Sequence, residues 1–329
     1  MLAYVTKSVL GALVVLLVMS FIVFSLQSII PADPARAVVG PNAPPETVEA
    51  MREQLGLDDP VIIQYGRFLW RLVQGDLGTS VRTRQPVSDD IRQFLPATLE
   101  LGLASIALGV ALAGVMAALQ FLVRGSGGVR LVMVGLGSTP IFLSALLLAY
   151  FFWFRLDWLP GAGRVAYRDF AGPTGFNVID GILVGRPNIS GDALLHMILP
   201  ALALALPIGI AVGRSLNGAL HDVLSQAYVR TARGKGVSET KVLLRHGLRN
   251  AATAPLSMLG LQIRLLFGSL LVVERIFGWP GLGLYTVQAF ASADLPAVLG
   301  VAIVFGALYI LANTLIGIGQ SIADPRIKL

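Results

Sequence analysis

Residues 101–123 read LGLASIALGVALAGVMAALQFLV, a run of 23 residues without a charged side chain. An α-helix rises 1.5 Å per residue, so it needs about 20 apolar residues to cross the ~30 Å hydrocarbon core of a bilayer. The run therefore predicts a membrane-spanning helix, and the same test applies to the rest of the chain.

Five further stretches pass that test. They lie at residues 8–30, 131–154, 193–213, 251–273 and 295–323, and the one charge within them is Arg264. The chain is 55% hydrophobic and 13% charged, about half of the ~25% charged residues of an ordinary soluble domain. We predict an all-α membrane protein with six transmembrane helices. It has no cysteine, which excludes disulfides and thiolate metal sites.

Basic residues predict the orientation of these helices. With the N-terminus inside, the inside segments 1–7, 124–130, 214–250 and 324–329 hold 12 Lys and Arg and three acidic residues. The outside segments hold 12 basic and 15 acidic residues over more than twice the length. Because short cytoplasmic loops collect Lys and Arg, we predict that both termini are inside. The basic residues flank spans instead of forming one groove, so a net charge of +6 does not indicate nucleic-acid binding.

The outside segment 31–96 is long enough to form a small helical insertion. A first helical pattern begins at Pro44 and ends near Leu55. A second pattern places apolar residues at helical spacing, namely Tyr65, Phe68, Leu69, Leu72 and Val73. With Trp70 as an anchor, this helix is typical of one that lies at the outer membrane interface. A docking surface for an external partner is compatible with the same position.

The other two outside segments are shorter. Segment 155–192 is rich in Gly, Pro and Asn and predicts a loop with one short helix near 178–184. Residues 278–283 read GWPGLG and predict a tight turn, with Trp279 as a ring at the membrane interface. Glu100 lies at the outer end of the second predicted span, where exposure to water costs little.

The inside segment 215–250 differs from the other loops. Its residues 228–250 read YVRTARGKGVSETKVLLRHGLRN. Gly234 and Gly236 would each cost about 1 kcal/mol inside a helix, so we predict two short helical pieces separated by a break. Ser238 is a predicted N-cap of the second piece. From spacing alone, a basic loop near anionic lipid is an equal alternative.

This stretch resembles the cytoplasmic coupling loop, or EAA loop, of binding-protein-dependent ABC importer permeases, most closely those of the dipeptide/oligopeptide (DppB/OppB-like) type. The matching positions are 228–233, Lys235, Gly236, His246 and 248–251. Gly234 and Gly247 stand where alanine is usual, and Arg230 and Thr231 replace the Glu-Ala that opens the general motif. Three further blocks are similar to the family in the same order, at 55–60, 94–100 and 274–283.

The resemblance implies a type I ABC importer permease fold. Residues 1–30 would be the first helix, 31–96 the extracytoplasmic insertion, and 97–329 a five-helix core that carries the coupling loop 215–250. The implied partners are a second homologous permease subunit (DppC/OppC-like), two ATP-binding subunits, an extracytoplasmic substrate-binding protein and the bilayer of a prokaryotic inner membrane. The implied cargo is a di- or oligopeptide, with a nickel chelate, glutathione or a haem-like group as the alternative. ATP and Mg²⁺ would sit on partner subunits, and no cofactor on this chain.

Three groups of residues are candidates for these roles. The resemblance assigns ATPase coupling to Tyr228, Arg230, Thr231, Ala232, Gly236, Leu243 and His246. Arg264 shares a helical face with Ser257, Gly260 and Gly268, and should face protein or water because a mid-span Arg costs about 2.5–3.5 kcal/mol. This face either lines a translocation path or holds the bundle together through an ion pair or a carbonyl contact. The third group is a predicted outer gate or turn at Trp279, Pro280 and Gly281.

The residues do not indicate an enzyme. A phosphate-binding Gly-x4-Gly-Lys-Ser/Thr loop does not occur, since Lys235 is followed by Gly236. The apolar runs also lack the Ser/His, paired Asp or His-Glu-x-x-His sets of intramembrane proteases. A secondary transporter, the rival class, would be expected to carry several intramembrane acids, and none lies deep in any run. We therefore predict a non-catalytic subunit.

Overall fold

The computed structural model describes residues 34–40, 42–122, 139–167 and 170–323, with residues 135 and 137 and scattered positions between 10 and 25. All described positions between 10 and 25 are helical. The rest of the predicted span 8–30, most of 131–138 and the tail 324–329 lie outside the described residues. Within the described residues the one extended pairing is a single bridge between Thr79 and Pro86. The fold is thus all-helical, as predicted.

The helices are numbered here in chain order. They are α1 Pro34–Val39, α2 Pro45–Leu55, α3 Val61–Val73, α4 Val87–Leu122, α5 Ile141–Leu148 with a π-helical continuation Ala149–Arg155, α6 Asn177–Leu183, α7 Pro187–Leu224, α8 Ala227–Gly234, α9 (Glu239–Lys241, π-helical Val242–Leu248 and Arg249–Ala251), α10 Thr253–Phe277, α11 Leu282–Ala291 and α12 Leu295–Ala323. Among the described residues, α4, α7, α10 and α12 contain stretches long and apolar enough to cross a membrane. The described part of the predicted third span forms the shorter apolar helix Ile141–Arg155.

Two spanning helices extend beyond the apolar runs that predict them. Helix α4 begins at Val87, so the end of the predicted insertion 31–96 forms its first turns. Those turns contain Asp89 and Asp90, which a search for uncharged runs excludes. Helix α7 continues to Leu224, so the first ten residues assigned to the loop 215–250 belong to it. At 1.5 Å per residue the 36 residues of α4 span ~54 Å, well beyond the ~30 Å of hydrocarbon.

Helix α7 lies at the centre of the bundle. It packs against α4 on one side and α10 on another, and its Leu199, Leu204 and Ile208 are almost completely buried. The contact with α4 is close because each helix places a glycine against the other. A Cβ on Gly109 would lie 2.7 Å from Ile208, and a Cβ on Gly209 would lie 2.8 Å from Leu112. Small residues at such crossings let helix backbones approach in membranes.

A second apolar cluster joins the N-terminal turns of α4 to α11 and α12. Val87, Tyr285 and Val298 are among its buried members. Polar bonds reinforce it, because the Tyr285 hydroxyl donates to Asp90 Oδ2 over 2.7 Å and Ala297 N donates to Asp294 Oδ1 over 3.3 Å. Helix α11 therefore fixes the end of the bundle at which α4 and α12 begin.

Candidate functional site

The segment 227–251, called here the coupling segment, contains a sharp helix end. Gly236 adopts the left-handed conformation, with φ of 75°. Its N–H donates to Arg233 O over 2.9 Å, and Val237 N–H donates to Ala232 O over 3.2 Å. These two bonds form a Schellman motif, which closes a helix at a left-handed glycine. The predicted break is therefore located at Gly236, whereas Gly234 is the last residue of α8.

Arg233 joins the two pieces of the coupling segment across this break. Its Nε and Nη2 donate to Glu239 Oε1 and Oε2 at 2.7 and 3.1 Å. Its Nη1 lies 3.4 Å from the carbonyl oxygen of Leu224, the last residue of α7. The hydrogen bonds that Arg233 donates to Glu239 raise the pKa of Arg233. A two-point contact fixes orientation as well as distance, and α8 is thus held to both α7 and α9.

The sequence does not single out Arg233. It is absent from the predicted coupling residues, although it forms an ion pair with Glu239 of its own chain. Glu239 is the one acidic residue between Gly236 and Glu274, and lies in the first turn of α9. That isolated acid across a glycine break is the signal that could have revealed the pair.

A second set of contacts packs α8 onto α9. The rings of Tyr228 and His246 meet edge to face, with centroids 6.4 Å apart. Asn250 Nδ2 donates to Tyr228 Oη over 3.2 Å and to His246 O over 2.8 Å. Val229 and Val242 are completely buried. The structure therefore brings Tyr228 and His246 together, as two parts of one compact unit.

Two further predictions for this segment can be compared with the structure. Ser238 has the backbone of an N-cap, with φ of −61° and ψ of 145°, but its side chain makes no capping hydrogen bond. That prediction is wrong at the side chain, and the acidic residue that follows it is instead bound by Arg233. Leu243 is half-buried, and its Cδ1 lies 3.4 Å from the place where a Cβ on Gly247 would stand.

The outward surface of the coupling segment is positively charged. Arg230 and Thr231 are exposed on α8, and Ala232 is half-buried beside them. Further exposed basic residues are Lys235, Lys241, Arg245 and Arg249. None of these five basic side chains forms an ion pair within the part of the chain that the structure describes. The segment thus offers unpaired cations on a braced helix.

The predicted face on α10 divides into two parts. Gly260 is buried, and a Cβ on it would lie 3.1 Å from Ile316 of α12, while Ser257 Oγ accepts a hydrogen bond from Gln320 Nε2 over 3.1 Å. Arg264 is exposed, and its Nε lies 3.4 Å from Gly260 O of its own helix. Among the described residues it has no acidic partner. The carbonyl contact exists, but it does not join Arg264 to another helix.

The turn after α10 is partly buried, with Trp279 and Gly281 inside the molecule and Pro280 at its surface. Trp279 is completely buried, and its Nε1 donates to Ala97 O of α4 over 2.9 Å. The prediction of an interfacial ring is therefore wrong, because the indole N–H has a backbone acceptor inside the protein. Pro280 is exposed, whereas Gly281 is buried. A Cβ on Gly281 would lie 2.5 Å from both carboxylate oxygens of Glu274, so the turn requires glycine there.

Two buried carboxylates organise the surroundings of this turn. Glu274 Oε1 accepts from Thr98 Oγ1 over 2.8 Å, and Glu274 Oε2 accepts from Leu284 N in the first turn of α11 over 3.0 Å. A carboxylate at a helix N-terminus is favoured by the helix dipole. Sequence reasoning assigns no role to Glu274 or Thr98, since periodicity does not reveal contacts so distant along the chain.

Glu100 is the second buried carboxylate. It pairs with Arg164, and its Oε1 accepts from Val178 N over 2.9 Å. The guanidinium of Arg164 also lies 5.9 Å from the centre of the Trp279 ring. Although exposure would cost little at this position, Glu100 is buried, because the loop that contains Arg164 folds over it. The loop, α4 and the turn are thereby joined.

The chain matches a known family over nearly all of its length. Residues 109–329 match the binding-protein-dependent transport system inner membrane component. Residues 1–102 match the N-terminal part of the binding-protein-dependent transport system membrane component. Together the two matches include the coupling segment and all of residues 31–96.

Curated relatives are similar from end to end. A putative peptide transport system permease protein of Brucella abortus is 38% identical, over 100% of this chain and 99% of the relative. The probable D,D-dipeptide transport system permease protein DdpB of Escherichia coli is 37% identical, over 96% and 95%. The glutathione transport system permease protein GsiC of Salmonella paratyphi A is 35% identical, over 100% and 99%. The chain therefore belongs to the family of binding-protein-dependent transport system inner membrane components.

Proposed function

We propose that this chain forms half of the translocation pore of a peptide importer in a prokaryotic inner membrane, and that ATP hydrolysis on partner subunits drives it. The observation that carries the proposal is the coupling segment, an exposed and unpaired cationic helix braced against the end of α7. The other half of the pore would be a homologous permease subunit, and an extracytoplasmic binding protein would deliver the cargo. Family membership and the names of the relatives support this arrangement.

The proposed arrangement has six spans with both termini inside. Four described helices are long and apolar enough to span, and the runs 8–30 and 131–154 supply the other two. The coupling segment then lies on the same side as the basic loop residues, which the positive-inside rule assigns to the cytoplasm. ATP and Mg²⁺ belong to the partner subunits in this proposal.

The contacts of Arg233 provide a route by which a displacement of α8 would be transmitted to α7. A partner that pushes on α8 also moves Glu239 and the Leu224 carbonyl, because one guanidinium binds both. Packed helices shift as units because protein interiors deform little. The displacement therefore reaches α7, which contacts both α4 and α10 in the bundle. The coupling residues act by contact and position, without chemistry of their own.

Reconstitution tests the proposal directly. The chain, its partner permease, the ATPases and the binding protein are placed in lipid vesicles, and uptake of a labelled dipeptide is followed. We expect uptake to require ATP and to continue when the proton gradient is collapsed. Uptake that needs no ATP and stops with the gradient would identify a secondary transporter instead.

A charge reversal on α8 tests the site itself. Arg230→Glu places a negative charge on the exposed cationic surface, and we expect coupled uptake to fall roughly tenfold or more, since mismatched charges at an interface cost several kcal/mol. Arg92→Glu is the matched control, because Arg92 is exposed near the start of α4, far along the chain from α8. Equal uptake by both variants would contradict the assignment of α8.

Glutathione is a second candidate cargo because one full-length relative carries that name at 35% identity. Glutathione is itself a tripeptide with free carboxylates, so the same path could accept both. Competition separates the two possibilities: excess glutathione should leave uptake of a labelled dipeptide unchanged when peptides are the cargo. Loss of dipeptide uptake at low glutathione would assign the cargo to glutathione. A nickel chelate and a haem-like compound serve as the other competitors.

A further inference from the structure

Helix α3 packs against membrane-spanning segments through one of its faces. The Tyr65 hydroxyl donates to Leu17 O over 2.8 Å and lies 2.9 Å from Ser20 Oγ. Phe68 is buried in a cluster with Phe24 and Leu299. These contacts use the apolar face that sequence periodicity identifies, so this face is covered by protein.

The partners of α3 fix its depth relative to the membrane. Leu17 lies near the middle of the uncharged run 8–30. Leu299 is the fifth residue of α12, about 6 Å along that helix from Leu295 at 1.5 Å per residue. A helix that contacts these positions lies at the same depth in the membrane as part of the spans, and not outside the membrane surface.

A second apolar stripe on α3 is exposed. Ile62, Trp70 and Val73 are 76%, 66% and 81% exposed, and Gly66 lies between them on the helix surface. The spacing 62, 66, 70 and 73 places them along one side of a helix. Val73 therefore belongs to this stripe and not to the buried face that its spacing predicts.

The opposite flank of α3 is polar. Gln64, Arg67 and Arg71 line a cleft of about 1450 Å³ between α3, residues 76–84 and the start of α12. Arg67 pairs with Asp59 at 2.5 Å. Gly66 and Trp70 belong to the apolar stripe and also line the edge of the cleft. One helix thus has a protein-packed face, an apolar exposed flank and a polar flank that lines the cleft.

We propose that the stripe Ile62, Gly66, Trp70 and Val73 binds phospholipid, with α3 embedded in the headgroup and acyl boundary of the leaflet at which α12 begins. The stripe continues the lipid-facing surface of the spans, because α3 packs on two of them. Trp at the border of an apolar flank, with Arg on the polar side, is the usual chemistry of a helix lying in a membrane interface. The leaflet then forms one boundary of α3 while the cleft remains open to water.

Single-cysteine labelling tests the inference with little disturbance, because the chain contains no cysteine of its own. Ile62→Cys, Val73→Cys and Arg71→Cys each receive a nitroxide label, in the full transporter complex reconstituted in phospholipid vesicles. Arg71 is the control on the polar flank of the same helix. Collisions with oxygen, which concentrates in lipid, are compared with collisions with a water-soluble nickel chelate.

We expect the labels at 62 and 73 to collide often with oxygen and rarely with the chelate, and the label at 71 to show the reverse. Equal access of the chelate to all three labels would overturn the proposal, because the stripe would then face water. Loss of collisions with both reagents at 62 and 73 would also overturn it, and would show that a protein subunit covers the stripe.

Discussion

Gly234 and Gly236 differ in one backbone angle, and this angle determines which of them can be replaced by alanine without strain. Neither would bring a Cβ within 4 Å of another group, so space does not distinguish them. Gly236 has φ of 75°, whereas Gly234 is a helical residue with no left-handed angle. Alanine at position 234 is therefore compatible with this structure, whereas alanine at position 236 would be strained.

The first prediction compares alanine at these two positions. Gly236→Ala forces a left-handed alanine, at a cost of roughly 1–2 kcal/mol, and should loosen the Schellman turn that orients α8 against α9. We expect lower uptake per ATP hydrolysed with normal insertion into the membrane, measured in reconstituted vesicles. Gly234→Ala should keep the wild-type ratio and stabilise α8 by up to about 1 kcal/mol. Unchanged coupling in Gly236→Ala would contradict the role given to this turn.

The second prediction concerns Arg233 and Glu239. Both side chains are partly exposed, so the pair should contribute only about 0.2–1 kcal/mol to stability. Arg233→Lys keeps the charge but loses the two-point contact, and we expect weaker coupling with nearly unchanged thermal stability. The exchange Arg233→Glu with Glu239→Arg should recover part of the coupling that either single change loses. A large loss of thermal stability in Arg233→Lys would indicate a structural role only.

Arg264 carries the third prediction. A mid-span arginine costs about 2.5–3.5 kcal/mol on insertion scales, and this one is exposed on α10 without an acidic partner among the described residues. Arg264→Gln should therefore insert at least as well as wild type while reducing uptake or assembly with the second permease. Insertion yield and uptake are measured in parallel. Normal uptake by Arg264→Gln would show that Arg264 neither lines the translocation path nor contacts the second permease subunit.

At the scale of elements, the crossing of α4 and α7 depends on glycine. Gly109→Ala would place a methyl group 2.7 Å from Ile208 and 3.2 Å from a backbone oxygen. Overpacking of this kind costs about 1–3 kcal/mol, so we expect a lower unfolding temperature in detergent. Gly114→Ala, five residues further along α4 with open space around it, is the matched control and should not be destabilised. Equal unfolding temperatures for the two variants would contradict the close crossing.

The elements also show where sequence reasoning succeeds. Uncharged runs locate α4, α7, α10 and α12 because lipid excludes charge over the whole hydrocarbon thickness. The same reasoning predicts too short a helix for α4, because the first turns of α4 contain Asp89 and Asp90. It does not predict helix α11, since the N-terminus of α11 is specified by Glu274 and Thr98 from other parts of the chain. Local patterns do not contain such long-range bonds.

For the whole molecule, the absence of cysteine makes the proposed topology testable. Thr231→Cys lies on the exposed surface of α8 and Pro280→Cys on the exposed turn after α10. In intact cells, a membrane-impermeant thiol reagent should label Pro280→Cys and leave Thr231→Cys unlabelled. After permeabilisation of cells that lack the partner ATPase subunits, both should react. Labelling of Thr231→Cys in intact cells would reverse the orientation.

The all-helical fold and the family could be inferred from sequence, because hydrophobicity and a set of distinctive motifs indicate them. The ion pairs that hold the elements together could not be inferred from sequence. Arg233 with Glu239, and Glu100 with Arg164, depend on which charged groups the fold brings together. Counting the charged residues on each side of the membrane gives their number, but it does not show which of them form ion pairs.

The prolines inside α7 give this helix a preferred direction of bending. Pro200 and Pro207 both lie within Pro187–Leu224, and each lacks the N–H that would bond one turn back. Seven residues are two turns less about 20°, so the two missing bonds fall on nearly the same side of the helix. Helix α7 should therefore bend most easily about a single axis. We therefore expect a displacement of the Leu224 end of α7 to move the other end of this helix mainly within one plane.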